Sequence, residues 1–295
     1  MYYSDILKEE LELKPLWDIF SDLEKNIETR GTTPKYRTGL TQLDEILWGL
    51  HKKEVLTIGA RTSLGKSALV THLLFELADS NQTVIDFTNE MTEEQMCERL
   101  FTRVCSVNNI ALRKGQALDL FNEKKKLFKD WALNANILLT NKYGRKFDSL
   151  LEVCKKINPD FIIIDYIQMV QGDGDQRKNI ADFLVNAGEL AKDMNFGVIN
   201  VSQINRAGAS EDHNTRPYMH QLKFSGALEE FSDTVILLHW DFKTKEYFMY
   251  VEKQRHGEVG KIQVNFMPQF NMFEDYTPPP PDFGELKRVE RKDLI

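Results

Sequence analysis

EVLTIGARTSLGKSALVTH, residues 54–72, joins an apolar run to a helical pattern through a short loop that carries one glycine and one lysine. Residues 54–60 have the composition of a buried strand. From Ser67 onward Ala68, Leu69, Leu73, Leu74 and Leu77 recur at helical spacing, so the loop opens a helix N-terminus, where unpaired backbone N–H groups face an anion. Gly65 lets the backbone approach a phosphate closely, Lys66 supplies a point charge for β- and γ-phosphates, and the Ser67 hydroxyl is suited to Mg²⁺. Ala60, Arg61, Thr62, Ser63, Leu64, Gly65, Lys66, Ser67 and Ala68 are therefore the expected cradle of a nucleoside triphosphate. One position departs from the usual pattern: Ala60 stands where a glycine is common, with Gly59 one residue early. Taken alone, these residues also fit a glycine turn before an ordinary helix.

Three further strands add polar groups to the same edge. FIIIDY, residues 161–166, is an apolar run ending in Asp165, as a central parallel strand delivers a carboxylate to its C-terminal end. Asp165 is the candidate to hold Mg²⁺ from outside the ion's inner ring of ligands. TVIDF, residues 83–87, runs into Thr88, Asn89 and Glu90, and Glu90 is placed to polarise a water for attack on a γ-phosphate. GVINVS, residues 197–202, hands over to Gln203, a neutral side chain able to hydrogen-bond a phosphate oxygen.

Together these stretches carry a resemblance. GARTSLGKS, TNEM (88–91), IIIDYIQ (162–168), VSQINR (201–206), LKFSGALEEFSD (222–233) and EKQRHGEVG (252–260) resemble the ordered motifs of the C-terminal ATPase domain of DnaB-type replicative helicases, over about residues 38–273. A single motif is generic to RecA-like ATPases; VSQ-x-NR followed by SG-x-x-E and KQR-x-G is specific to the helicases, which commonly carry Ala at the position of Ala60. The resemblance implies that Lys66 and Ser67 bind phosphates and Mg²⁺, that Asp165 holds the metal, that Glu90 is the general base, and that Gln203 senses the γ-phosphate. It also implies that Arg255 is an arginine finger inserted into a neighbouring subunit's nucleotide site, with Lys253 as its companion cation. A charge supplied across an interface makes hydrolysis conditional on assembly. By composition alone, both cations would be solvated charges at a strand end.

The segments 172–178 and 204–221 are polar, bear glycines and lack helix or strand periodicity, so they are expected as surface loops. The matching loops of the family line a central channel and grip single-stranded DNA. The corresponding positions here are Arg177, Arg206, Lys223, Phe224 and the backbone at Ser225 and Gly226. The family usually has Arg-Glu where this chain has Lys223-Phe224. Lysine keeps the charge but loses bidentate phosphate geometry; Phe224 is open to stacking on a base or to packing against a neighbour.

With 295 residues, 42% apolar content and 28% charged content, the chain is long enough for one sizeable core. A net charge of −7 argues against a surface coated for nucleic acid, although a motor needs only a basic channel. Cys97, Cys105 and Cys154 show no paired spacing and read as buried thiols in a reducing compartment. No stretch has membrane-spanning length and no secretion signal is evident at the N-terminus, so a cytoplasmic protein of a prokaryote or virus is expected.

The expected fold is α/β, a RecA-like P-loop ATPase with a central, mostly parallel sheet between helices and antiparallel strands toward the C-terminus, formed by TVILLHW, YFMYVEK, KIQVNF and FNMF. Three units are expected: a linker-helix segment at 1–37, the ATPase domain at 38–276 and a Pro-rich, disordered tail at 277–295. In the first, Pro15 suits a helix start and Leu16, Phe20, Leu23 and Ile27 share one face, which must pack on the chain's own core or, as in the family, on the next subunit. The helical domain that precedes this linker in the family is not seen here, so primase recruitment through it is not to be assumed. A helical insertion at 93–133 carries the basic run Lys124–Lys126, expected as a solvated face. The combined expectation is an ATP- and Mg²⁺-dependent ring motor, six subunits in the family's manner, that moves on single-stranded DNA and opens duplex at a replication fork, with a primase or helicase loader as a further partner. The rival expectations are a RecA-like recombinase that uses ATP as a clamp, and a helicase-like loader or accessory protein.

Overall fold

Nine strands follow the chain as β1 (Val55–Ala60), β2 (Val84–Thr88), β3 (Ile137–Thr140), β4 (Phe161–Asp165), β5 (Gly197–Gln203), β6 (Thr234–Asp241), β7 (Glu246–Gln254), β8 (Gly260–Met267) and β9 (Met272–Asp275). A computed structural model describes residues 14–28, 35–173, 175–204 and 215–278 and joins these strands in one sheet, ordered β3-β2-β4-β5-β1-β6-β7-β8-β9. Strand β1 sits near its middle, between β5 and β6. It, β2 and β4 are buried along their whole length, as expected of strands covered on both faces.

The side-chain period of two sorts each strand between two cores. Phe161 and Ile163 of β4 join Ile58, Ile199 and Ile236 on one face, beneath α2 (Thr41–Leu47), α3 (Lys66–Asp79) and α4 (Glu93–Cys105). Ile162 and Ile164 join Val198, Val235 and Leu237 on the other, beneath α7 (Phe147–Ile157), α8 (Gln176–Met194) and α9 (Ser225–Phe231). Between α4 and α7 lie α5 (Asn109–Arg113) and α6 (Leu118–Asn134), where Phe101, Cys105, Val107 and Ala117 form a small satellite core. A reciprocal cap starts α4: Gln95 N donates to Thr92 Oγ1 at 3.2 Å and Thr92 N donates to Gln95 Oε1 at 3.0 Å. Lys125 and Lys126 of the basic run are exposed on α6, and Lys126 pairs with Asp130 one turn on.

One strand runs against expectation. β6 is parallel to β1, with Leu56 opposite Thr234 and Ala60 opposite Leu238, so the antiparallel part of the sheet starts only at β7. The seven-residue α9 supplies the crossover that carries the chain from the C-terminal end of β5 to the start of β6.

The amphipathic N-terminal segment forms α1 (Leu16–Glu28), preceded by Pro15, whose carbonyl accepts from Asp18 N and Ile19 N. Its apolar stripe does not pack on the chain's own core: Leu16 is 80% and Trp17 72% exposed, and Phe20, Leu23 and Ile27 are exposed as well. No described helix is long and apolar enough to cross a membrane. Nearly all of the Pro-rich tail lies outside the described residues.

Candidate functional site

Beyond Ala60 the chain turns through Arg61–Leu64, with Leu64 N donating to Arg61 O at 3.3 Å, and enters α3 at Lys66. Ser63 (φ 64°) and Gly65 (φ 87°) are left-handed. A Cβ on Gly65 would also lie 3.1 Å from Phe266 Cζ and 3.2 Å from the Tyr247 hydroxyl, which itself donates to the Leu64 carbonyl. The early glycine has a different reason. A Cβ on Gly59 would come within 2.4 Å of Leu222 Cδ2 and 2.6 Å of Leu237 Cδ2, so Gly59 serves packing inside β1. Ala60 has no left-handed backbone and needs no glycine. Lys66 Nζ folds back to the Ala60 and Arg61 carbonyls at 3.5 Å each; burial pushes its pKa down, opposed by Asp165 and Glu90.

The expected carboxylates gather around that lysine. Asp165, level with Thr88 of β2, is buried, and neither of its oxygens has a hydrogen-bond partner. Burial and then Glu90 raise its pKa to about 6, opposed by the Ser67 hydroxyl, which lies close without completing a hydrogen bond, and by Lys66 and Arg99. Glu90 is exposed and acts electrostatically on Lys66, Asp165 and Arg99. Gln203 Nε2 donates to Thr62 Oγ1 at 2.7 Å, so the end of β5 touches the phosphate-loop segment. Lys66, Ser67, Glu90, Asp165 and Gln203 are thus brought to one edge of the sheet. An oxygen pair without donors beside a hydroxyl, a lysine and a helix start fits a nucleotide phosphate with its hard cation.

Three residues at this edge escaped the sequence. Arg145 Nη2 donates to Asn89 O at 3.1 Å, while Asn89 Nδ2 reaches Gly144 O at 3.4 Å, bracing the turn that presents Glu90. Arg99 is a second, half-buried cation whose charge acts on Asp165; its Nη1 donates to Asn271 Oδ1 at 2.7 Å. Asp86 is fully buried on β2, without a partner for either oxygen, and burial followed by Asp165 holds its pKa well above the usual carboxylate range. Only Asp86 left a signal in sequence, as the single charge inside an apolar strand.

The expected DNA-facing residues are less unified. Arg177 is exposed in the first turn of α8, which Asp175 caps by accepting from Lys178 N at 3.0 Å. Arg206 lies outside the described residues. Lys223 N donates to Gln203 O at 3.0 Å, and its ammonium sits 5.2 Å from the Phe224 ring centroid. Phe224 is left-handed (φ 68°) and packs, partly buried, against the core beneath α9. Ser225 and Gly226 begin α9, and space around Gly226 is open.

Lys253 and Arg255 stand elsewhere. Arg255 Nη1 donates to Asp233 Oδ1 at 2.8 Å, and Asp233 Oδ2 accepts from Val55 N at 2.8 Å, at the start of β1. Five strand steps separate Val55 from Ala60, roughly 17 Å at the usual rise, so the pair lies at the opposite edge of the sheet from its own phosphate loop.

Comparisons with known proteins identify the family and the fold. The model of the DnaB-like helicase C terminal domain matches residues 36–275. The replicative DNA helicase DnaC of Bacillus subtilis is 25% identical over 270 residues, covering 86% of this chain and 59% of its own length. The replicative DNA helicase DnaB of Geobacillus stearothermophilus is 27% identical over 280 residues, covering 88% and 62%. The chain therefore spans about three fifths of the length of these curated relatives. Among solved structures, an isolated ATPase domain superposes with a TM-score of 0.81 at 22% identity, covering 90% of this chain and all of that one. A DnaB-like replicative helicase described with its interactions with primase gives 0.77 at 21% identity, covering 90% and 68%. Both share the fold. With a match that begins at the segment leading into α2 and ends at the last strand of the sheet, the chain belongs to the DnaB-like helicase C-terminal domain family.

Proposed function

We propose that this chain is the motor of a ring helicase that hydrolyses ATP, or another nucleoside triphosphate, with Mg²⁺ and so moves along single-stranded DNA and opens duplex at a replication fork. The observation that carries the proposal is the division of the site. Lys66, Ser67, Glu90, Asp165 and Gln203 meet at one edge of the sheet, while Lys253 and Arg255 stand at the other and cannot reach them within one chain. Six copies in a ring, each offering both edges, make every junction a complete site; α1, with its uncovered stripe, docks on the adjacent copy.

Each residue then has a role. Backbone N–H groups at the start of α3 and the Lys66 ammonium neutralise the β- and γ-phosphates. Ser67 and Asp165 would hold Mg²⁺, which would screen the phosphate charge. The bound Mg²⁺-nucleotide supplies the scissile phosphoanhydride and its charge screening. Glu90 takes a proton from the attacking water, and Arg255 with Lys253 stabilises the charge that develops, from the neighbouring subunit. Gln203 reports the γ-phosphate to the loop holding Lys223, Phe224, Ser225 and Gly226, which with Arg177 and Arg206 grips the DNA backbone. Residues 1–37 act as linker, 38–276 as motor and 277–295 as a tail, and a primase or helicase loader is a fitting partner.

A forked DNA substrate tests the proposal. With ATP and Mg²⁺ the protein should separate its strands, and Lys66→Ala should abolish separation. A ring that hydrolyses ATP without separating strands would overturn it.

A further inference from the structure

Helix α9 touches different machinery at its two ends. Ahead of it, Lys223 N donates to the Gln203 carbonyl at 3.0 Å and Ile204 bridges Leu222, so the strand ending in Gln203 is tied to the loop assigned to DNA. Behind it, two cations hold its last carbonyls: Lys253 Nζ donates to Glu229 O, and Arg255 Nη2 donates to Glu230 O at 3.1 Å. A helix C-terminus, with its free carbonyls and negative dipole end, is a natural seat for cations. Asp233 closes the assembly. It accepts from Arg255 Nη1 at 2.8 Å through one oxygen and from Val55 N at 2.8 Å through the other, while Arg255 N donates to the Asp233 carbonyl at 3.0 Å.

We infer that α9 is a strut that carries the state of Gln203 and the DNA loop to Lys253 and Arg255, and that Asp233 is the positioning residue that sets where Arg255 is presented. The inference rests on the trans role proposed above for these two cations. Its physical basis is the shape of the connection. Seven helical residues span only ~10 Å, too short to absorb a displacement by bending. Leu228 anchors α9 in the core, α9 packs along α8, and the Ser232 hydroxyl pairs with Thr57 on β1 at 2.7 Å. A close-packed element of this kind shifts as a body, so movement at Ser225 is felt at Glu229 and Glu230, whose carbonyls are what the two cations hold. A DNA-gripping event in one subunit thereby alters the finger it offers to the next.

Coupling is reciprocal, which gives a test that does not depend on turnover. Single-stranded DNA binding is measured by fluorescence anisotropy with a nonhydrolysable ATP analogue, at concentrations where mass photometry shows wild type and Lys253→Met equally assembled. Lys253→Met should weaken DNA binding at least about fivefold, the lower end of ordinary coupling, although Lys253 is no part of the DNA loop. Hydrogen exchange on the unmodified protein gives a second readout. Adding single-stranded DNA should change the exchange of amides at 252–256 as well as at 223–228. If Lys253→Met leaves DNA affinity within twofold, or if 252–256 exchanges identically with and without DNA, the strut is wrong. The ring motor then still stands on fork opening and its loss in Lys66→Ala, so the two failures are distinguishable.

Discussion

Asp86 offers a sharp test of how the core beside the nucleotide edge is built. Its carboxyl is fully buried on β2, shares a face with Val84 and Asp165, and neither oxygen meets a donor. Burial, reinforced by Asp165, raises its pKa well above the ordinary 3.8, so the folded protein keeps the group protonated at pH values where the unfolded chain has released the proton. Leucine has the same number of heavy side-chain atoms in the same branched arrangement and needs no partner. Relieving an unsatisfied buried polar group is worth about 1–3 kcal/mol, so Asp86→Leu should stabilise the fold by that amount near pH 5. Unfolding entropy for a chain of this length converts the gain to roughly 2–5 °C in Tm. The pH dependence has a definite sign. A raised folded-state pKa contributes stability that is complete below about pH 4 and is lost as pH rises toward the folded value, at up to about 1.4 kcal/mol per pH unit. Wild type carries this loss and the variant does not; Asp165 is present in both and cancels. Thermal unfolding by circular dichroism at pH 5 and pH 7 should therefore show the advantage of Asp86→Leu widening at pH 7. A destabilised variant, or an advantage that stays flat with pH, would refute the assignment of Asp86 as a neutral, unpaired carboxyl.

Two other outcomes follow from the site. Asp165, with its pKa raised to about 6, must ionise to hold a cation, so Mg²⁺-dependent nucleotide affinity by calorimetry should fall about tenfold between pH 7 and pH 5, a dependence that Asp165→Asn removes. Gly65→Ala forces a side chain into a left-handed backbone 3.1 Å from Phe266, and should cost about 1–2 kcal/mol in thermal unfolding together with a loss of nucleotide binding.

What could be read from the sequence was what is local. The strand, loop and helix of residues 54–72 announce themselves because periodicity, Gly65 and the lysine lie within one short window. Asp165 and Gln203 were legible because each ends a buried strand, where a parallel sheet places its functional groups. The direction of β6 was not, because its parallel pairing with β1 depends on a crossover as short as α9, and periodicity carries no information about direction. Gly59 was misleading for a related reason: the leucines it accommodates, Leu222 and Leu237, come from distant parts of the chain. Arg145 and Arg99 look like ordinary surface charges until folding brings one to the Asn89 carbonyl and the other near Asp165. The hold of Asp233 on Arg255 likewise joins residues 22 positions apart in sequence. The apolar stripe of α1 was visible, but whether it is covered within the chain depends on the tertiary structure, which leaves it bare.

The most direct measurement of the divided site mixes two inactive proteins. Lys66→Ala loses the phosphate loop but keeps Arg255; Arg255→Ala keeps the loop but loses the cation, and each alone should be nearly inert in ATP hydrolysis. In equimolar mixed assemblies, an intact loop meets an intact arginine from its neighbour at about one junction in four, so roughly a quarter of wild-type turnover should return if the arginine works across the interface. Assemblies shown to be mixed that remain as inactive as their parents would contradict the account.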